Sequence, residues 1–134
     1  MGRGPTLAGV AVLAALIAGG GYVANQVQAR RHLVAHVRAL TGGDPDRGRA
    51  DIARRPCGGC HEIPGVAGAR GHVGPPLEGF ASRAFIAGRV NNTPQNLVQW
   101  IEDPHTVDKD NVMPPMGIGE AEARDIAAYL YTLS

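Results

Sequence analysis

The feature that most constrains this chain is the five-residue run Cys57-Gly58-Gly59-Cys60-His61. The only two cysteines of the sequence lie in it, three positions apart, which excludes a framework of several disulfides. Thiols with this spacing emerge on one side of a single helical turn, where each can form a thioether to a haem vinyl group. The motif therefore predicts one covalently bound haem c, attached through Cys57 and Cys60, with His61 as an axial ligand of the iron.

Other uses of a C-x-x-C pair remain as alternatives: a zinc half-site, a thioredoxin-like redox pair and a simple disulfide. Zinc would need two further ligands, and the sequence has no second pair of this kind. A thioredoxin-like pair expects a βαβ context, and no strand pattern is visible. The composition also favours a cofactor, because aromatic residues make up only 4% of the chain while there are 19 glycines and 10 prolines. A core built from side chains alone would be small, and a large buried group would enlarge it.

The N-terminal segment is predicted to be a membrane anchor or a secretion signal. No residue from Gly4 to Ala29 is charged, and Leu7 to Val27 is long and apolar enough to cross a bilayer as one helix. A signal is indicated by Arg3 ahead of the apolar run and by Val27-Gln28-Ala29 as a possible cleavage site. An anchor is favoured by the length of the segment and by the run from Arg30 to Val37, which continues the helix into water. We therefore predict an anchor over residues 1–40 and a haem domain over residues 41–134.

The haem motif also predicts the orientation of the chain, since Arg30 and Arg31 weaken the usual charge signal. Bacteria form haem thioethers outside the cytoplasm. We therefore expect a single pass through the inner (cytoplasmic) membrane, with residue 1 in the cytoplasm and the haem domain on the periplasmic side.

The haem domain is predicted to be all-α with long loops. Asp44-Pro45 and Thr93-Pro94 are each typical of an N-cap followed by proline in the first helical turn, and they predict helices over residues 45–55 and 94–103. A last helix is expected from Glu120. Residues 62–79 are rich in Gly and Pro and predict an ordered loop, and a short helix is expected over residues 81–87.

A haem that shuttles electrons usually has its sixth iron position closed by a protein ligand. Met113 and Met116 could supply a thioether, and His72 and His105 could supply a nitrogen. Met113 precedes Pro114-Pro115, whose fixed φ angles would hold the loop in one extended shape with little reorganisation. This stiff setting favours Met113 as a ligand, whereas core filling is the usual role of a methionine.

From about Gly43 to Leu133 the chain resembles the class I c-type cytochromes, and within them the small membrane-anchored cytochromes of bacterial respiratory chains. The residues that carry the resemblance are the attachment motif, Gly48, Gly74-Pro75-Pro76-Leu77, Arg83, Trp100-Ile101-Glu102-Asp103-Pro104, Met113-Pro114-Pro115 and Tyr129-Leu130. The resemblance implies an all-α cytochrome c fold, three to four helices wrapped on one haem, preceded here by a transmembrane helix.

Specific roles follow from this resemblance for residues around the haem. The carbonyl of Pro75 would accept the Nδ1 hydrogen of His61, Arg83 would lie near a haem propionate, and Leu77 and Trp100 would line the haem. The axial methionine of the family lies nine residues after the proline that corresponds to Pro104 and begins a Met-x-x-x-Gly pattern. Both spacings select Met113, and Met116 remains the alternative ligand.

The resemblance implies a one-electron carrier in a respiratory or related chain, without catalytic residues or a small-molecule substrate. A quinol-oxidising cytochrome bc complex and a terminal oxidase are the expected partners, and Ile63, Pro64 and Val66 are expected to border the haem edge where they dock. Nucleic acid is not expected as a partner, because residues 44–134 carry nine Lys+Arg against twelve Asp+Glu. The alternatives are an electron-entry subunit of a larger oxidase or reductase complex and a small peroxidase-like haem enzyme, for which His105 would be the acid-base group.

Overall fold

The computed structural model describes residues 7–134 and consists mainly of helices. The elements in chain order are α1 (Leu7–Thr41), α2 (Pro45–Arg54), α3 (Cys57–Cys60), a 3₁₀ turn (Phe80–Ser82), β1 (Phe85–Ile86), β2 (Val90–Asn91), α4 (Pro94–Glu102), a second 3₁₀ turn (Pro104–Thr106) and α5 (Glu120–Leu130). The chain forms two units that divide at Leu33 and Val34, so the last eight residues of α1 belong to the second unit. The predicted division into an anchor over residues 1–40 and a haem domain over residues 41–134 stays a prediction.

Helix α1 is the one helix of residues 7–134 that is long and apolar enough to cross a membrane. It runs without a break past Arg30 and Arg31 to Thr41, as the sequence predicts. The charged residue that would mark a secretion signal, Arg3, lies outside the described residues. The structure thus contains a membrane-spanning candidate of sufficient length, followed by further helical turns that carry charge.

The N-termini of α2 and α4 form as their cap sequences predict. The side chain of Asp44 accepts hydrogen bonds from the backbone N–H groups of Asp46 and Arg47, and the hydroxyl of Thr93 accepts one from Asn96. Each cap satisfies donors that have no partner inside the helix, and the following proline loses no hydrogen bond there. These starts are local and depend on few other residues.

Helix α2 packs against α5 more extensively than any other pair of helices in residues 7–134. The crossing depends on Gly48, because a Cβ placed there would lie 1.8 Å from the carbonyl oxygen of Asp125. By the resemblance to the class I cytochromes, Gly48 is the glycine that lets the first and last helices of the domain cross closely, with Tyr129-Leu130 as its partner on the last helix. In the structure the contact lies one turn earlier, at Asp125 and Ile126.

The core lies where α4 and α5 meet α2 and the loop after α3. The predicted apolar faces are buried as expected: Leu97, Trp100 and Ile101 on α4, and Ala123, Ile126, Ala127 and Leu130 on α5. Phe80, Ile86 and Ile118 join them from the connecting segments. This core supports the loops on either side of α3.

The prediction of a helix over residues 81–87 is wrong. The chain instead makes the 3₁₀ turn and then a small antiparallel hairpin, in which Phe85 pairs with Asn91 and Ile86 pairs with Val90. The backbone at Ala87 and Gly88 has φ of 49° and 69°, which turns the chain and is incompatible with a right-handed helix. Strands of two residues are too short to show an alternating pattern in the sequence.

The α2–α5 contact carries a group of ion pairs whose carboxyl groups do not titrate alike. The guanidinium of Arg47 lowers the pKa of Asp125, and that of Arg55 lowers the pKa of Glu122. Burial raises the pKa of Asp51. A carboxyl group whose pKa is lowered in the folded state stabilises the protein at pH values above the ordinary carboxyl range, and this stabilisation is lost as the pH falls through that lowered pKa. A carboxyl group whose pKa is raised in the folded state has the opposite effect.

We expect the folded protein to lose stability on acidification from about pH 6 to about pH 3, through and below the ordinary carboxyl range. The pKa is lowered at three carboxyl groups, Asp44, Asp125 and Glu122, and raised at one, Asp51, so the loss on acidification prevails. The measurement is the urea midpoint of the haem-loaded protein at both pH values. Asp125→Asn should lower the urea midpoint at the higher pH. Its midpoint should then fall less on acidification than that of the wild type. Equal pH dependence in wild type and variant would contradict this assignment.

Candidate haem site

The motif residues form a single helical turn, α3, as their spacing predicts. The N–H of His61 donates to the carbonyl of Cys57 over 2.9 Å and closes the turn. Cys57 is half-buried, Cys60 is exposed, and they form no disulfide with each other. Burial raises the pKa of the Cys57 thiol, which favours its neutral form. Two cysteine side chains on one helical turn are the arrangement that thioether attachment requires.

The glycines in and around the motif allow the following loop to fold back on α3. A Cβ on Gly58 would lie 2.8 Å from Ala69, and a Cβ on Gly71 would lie 2.3 Å from the carbonyl oxygen of Gly59. The N–H of Gly71 donates to the carbonyl of Gly58 over 3.0 Å. Residues 62–79 thus form an ordered loop held by the motif itself, as predicted.

The imidazole of His61 is held by the Gly-Pro-Pro-Leu segment. Its Nδ1 lies 2.8 Å from the carbonyl oxygen of Pro75, and because a carbonyl only accepts, Nδ1 carries the hydrogen. The ring lies against Gly74, where a Cβ would come within 2.3 Å of Cε1. This is the hydrogen bond that the resemblance implies. It leaves Nε2 without a hydrogen, so that this nitrogen could bind a metal, and the carbonyl partner raises its basicity.

Both methionine candidates lie on the non-helical segment between the second 3₁₀ turn and α5, residues 107–119, which we call the methionine loop. Met113 and Met116 are partly buried against the core, as are Cys57 and Leu77, and Trp100 lies within it. The backbone N–H of Met113 donates to Oδ1 of Asn111 over 2.8 Å. The structure therefore brings the attachment turn, the haem-lining candidates and both thioethers to one core.

The two histidine alternatives have different surroundings. His105 is half-buried, and its Nε2 lies 2.8 Å from the carbonyl oxygen of Asn111, to which it donates. His72 is exposed on the loop after α3. Donation to a carbonyl engages the Nε2 of His105 in holding the methionine loop.

The side chain of Arg83 contacts the backbone at the end of the Gly-Pro-Pro-Leu segment. Its guanidinium donates to the carbonyls of Pro76 and Glu78 and lies over the ring of Phe80, 5.5 Å from the centroid. It therefore braces the segment that holds His61. Its predicted position near a propionate stays a prediction.

Two of the expected docking residues lie in the core and not on the surface. Ile63 and Val66 are 2% and 9% exposed and belong to the core, so the prediction that they form an exposed docking border is wrong. The reason is the fold-back of residues 62–79, which turns them inward. Exposed apolar side chains near the site in sequence are instead Val73 and Val112, 76% and 87% exposed.

Sequence reasoning missed two residues that hold the methionine loop, Asn111 and Arg55. Asn111 had a local signal, since an Asn two residues ahead is a common acceptor for a backbone N–H. Arg55 had none. Its partners, Met116 and Glu122, lie 61 and 67 residues away along the chain.

The donor set fits a c-type haem. Two thiols on one turn, an imidazole with only Nε2 left for a metal, and two thioethers on a stiff loop match the attachment and ligation that such a haem needs. When bound, the haem supplies a one-electron Fe(III)/Fe(II) couple. The residues named above would hold and orient it.

Comparison with known proteins agrees with this chemistry. The family model described as Cytochrome c matches residues 46–134. The chain is also similar to "Cytochrome c oxidase subunit 2" of Alkalihalophilus pseudofirmus, with 35% identity over 100 residues. That match covers 74% of this chain and 28% of the relative, so the chain spans less than a third of the relative's length. The matched residues include the attachment turn and every element that surrounds it, and the chain accordingly belongs to the cytochrome c family, whose members bind haem c covalently.

Proposed function

We propose that this chain is a one-electron carrier of a respiratory or related electron-transport chain. His61 and Met113 are its axial iron ligands, and α1 holds it in the inner membrane with the haem domain on the periplasmic side. The observation that carries the proposal is the hydrogen bond from His61 Nδ1 to the carbonyl of Pro75, because it aims Nε2 and raises its basicity. Membership of the cytochrome c family supports electron transfer as the activity.

A closed sixth position distinguishes a carrier from an enzyme. A peroxidase-like enzyme would need an open site and a free acid-base group beside it. The candidate for that group, His105, has its Nε2 engaged with the carbonyl of Asn111 at 2.8 Å. This engagement supports a carrier over a haem enzyme.

A membrane anchor would serve the carrier kinetically. Confining the haem domain to a thin layer raises the effective concentration of its partners without added contact energy. The described haem domain offers Val73 and Val112 as exposed apolar contacts near the site, and small apolar interfaces suit brief encounters. A quinol-oxidising complex and a terminal oxidase are the partners that we propose.

A second candidate function is an electron-entry subunit fixed within an oxidase. It is favoured by the 35% identity to a chain named as subunit 2 of cytochrome c oxidase. A fixed subunit would stay with an oxidase through mild detergent extraction and gel filtration, whereas a free carrier would separate from it.

The test of the carrier proposal is optical spectroscopy of the full-length, haem-loaded protein. We expect the ferric form to show the weak near-infrared-edge band of an iron–thioether bond. We expect the ferrous spectrum to stay unchanged when carbon monoxide is added, because the sixth position is occupied. Absence of the band together with rapid carbon monoxide binding would refute the carrier proposal and favour an enzyme.

A further inference from the structure

Arg55 connects three parts of the haem domain. It follows the last residue of α2 and lies two positions before Cys57. Its Nε and Nη2 donate to the two carboxylate oxygens of Glu122 on α5, over 2.8 and 2.7 Å. Its Nη1 donates to the backbone carbonyl of Met116 over 3.3 Å. One side chain thus joins the segment entering the attachment turn, the start of α5 and the methionine loop.

The neighbouring Arg54 provides an internal comparison. Arg54 pairs with Asp51, one turn back on the same helix, and the side chains of Arg54 and Asp51 are 70% and 9% exposed. The side chains of Arg55 and Glu122 are 32% and 27% exposed. Arg54 reaches one oxygen of its partner from an exposed position, whereas Arg55 holds both oxygens of Glu122, and a two-point pair keeps its guanidinium in a defined orientation. The two arginines therefore carry the same charge but differ in what they hold.

The contact at Met116 matters because of its place in the loop. Pro114-Pro115 separates Met113 from Met116 and fixes two φ angles between them. The N–H of Met113 is held by Asn111 on one side of this stiff pair, and the carbonyl of Met116 is held by Arg55 on the other. A loop held on both flanks of a stiff segment leaves the intervening backbone little freedom.

We propose that Arg55 is a positioning residue for the axial methionine. Through the carbonyl of Met116 it holds the loop so that the sulfur of Met113 stays at the iron, and Glu122 orients the guanidinium for this contact. This inference rests on the proposed His/Met ligation. It assigns Arg55 a role in the strength of the iron–sulfur bond, beyond a role in folding.

The test is an imidazole titration of the ferric, haem-loaded, full-length protein, followed at the iron–thioether band. Imidazole enters only after the methionine leaves, so its apparent affinity reports how firmly the sulfur is held. A hydrogen bond from a charged donor is expected to shift such an equilibrium by about 10-fold to 100-fold. We therefore expect Arg55→Gln to bind imidazole at least about tenfold more tightly than wild type.

The matched control is Arg54→Gln, which removes the same charge from the adjacent position and should change the affinity less than about twofold. Arg55→Lys keeps the charge and an ion pair with Glu122 but lacks the planar fork, so we expect an intermediate affinity. Glu122→Gln should also tighten imidazole binding, because the guanidinium is no longer held by two oxygens. If Arg55→Gln does not yield folded protein, the imidazole affinity of Glu122→Gln is compared with that of Arg54→Gln instead.

The outcomes separate this inference from the proposed function. If wild type shows the thioether band and Arg55→Gln binds imidazole no more tightly than Arg54→Gln, the positioning role is refuted while His/Met ligation stands. A lower urea midpoint for Arg55→Gln with unchanged imidazole affinity would likewise leave only a structural role. If wild type itself lacks the band, both proposals fail together.

Discussion

Replacing Met113 by alanine is expected to open the sixth iron position. The ferric protein should lose the iron–thioether band, and the ferrous protein should bind carbon monoxide, because no side chain then competes for the iron. The reduction potential should fall, since a thioether ligand favours Fe(II), and a shift on the order of 100 mV is within the range that axial ligands command. Optical spectroscopy and a redox titration of the same preparations measure all three effects.

Met116→Ala is the matched control for this variant. Both methionines lie on the same loop and are partly buried against the core, so each substitution removes a similar contact. We expect Met116→Ala to keep the band and to ignore carbon monoxide. Its backbone carbonyl still accepts from Arg55, because the substitution leaves the main chain unchanged. Loss of the band in Met116→Ala alone would transfer the ligand role to Met116.

Replacing Gly48 by alanine is expected to destabilise the haem domain by about 3 kcal/mol. The added Cβ would lie 1.8 Å from the carbonyl oxygen of Asp125, so α2 and α5 must move apart. Alanine favours a helix by about 1 kcal/mol relative to glycine, which is too little to offset the clash. A loss of this size is a large part of the stability of a small domain. Urea unfolding of the haem-loaded protein, followed by circular dichroism, measures it.

Gly119→Ala serves as the control for the helix crossing. Gly119 caps α5 with an ordinary φ of −84°, and a Cβ there would meet nothing within 4 Å. We expect its effect to stay below about 1 kcal/mol, which is the usual scale for changing an N-cap. A Gly48→Ala midpoint equal to that of Gly119→Ala would show that the helices can separate without penalty.

Local sequence signals predicted most of the helical structure. Asp44-Pro45 and Thr93-Pro94 carry their caps within three residues, so the starts of α2 and α4 depend on hydrogen bonds between near neighbours. The buried face of α4 follows from helical periodicity, as Leu97 and Trp100 illustrate. The attachment turn is equally local, since His61 closes it by bonding to Cys57.

Predictions that depended on distant contacts succeeded less often. The segment over residues 81–87 has residues compatible with a helix, but the chain turns at Ala87-Gly88 and makes a hairpin. Ile63 and Val66 follow the motif directly, yet the loop that folds back on α3 turns them into the core. In both cases the position of a side chain was decided by backbone that lies elsewhere in the fold.

The sequence by itself determined the cofactor chemistry and the secondary structure around it, because a motif, a cap and an apolar periodicity each act over a few residues. It also indicated Pro75 as the partner of His61 through resemblance to a known family. Only the tertiary structure placed Arg55 between Glu122 and the carbonyl of Met116. That contact depends on the close crossing of α2 and α5 at Gly48, and the register of two helices so far apart in sequence is set by packing in three dimensions.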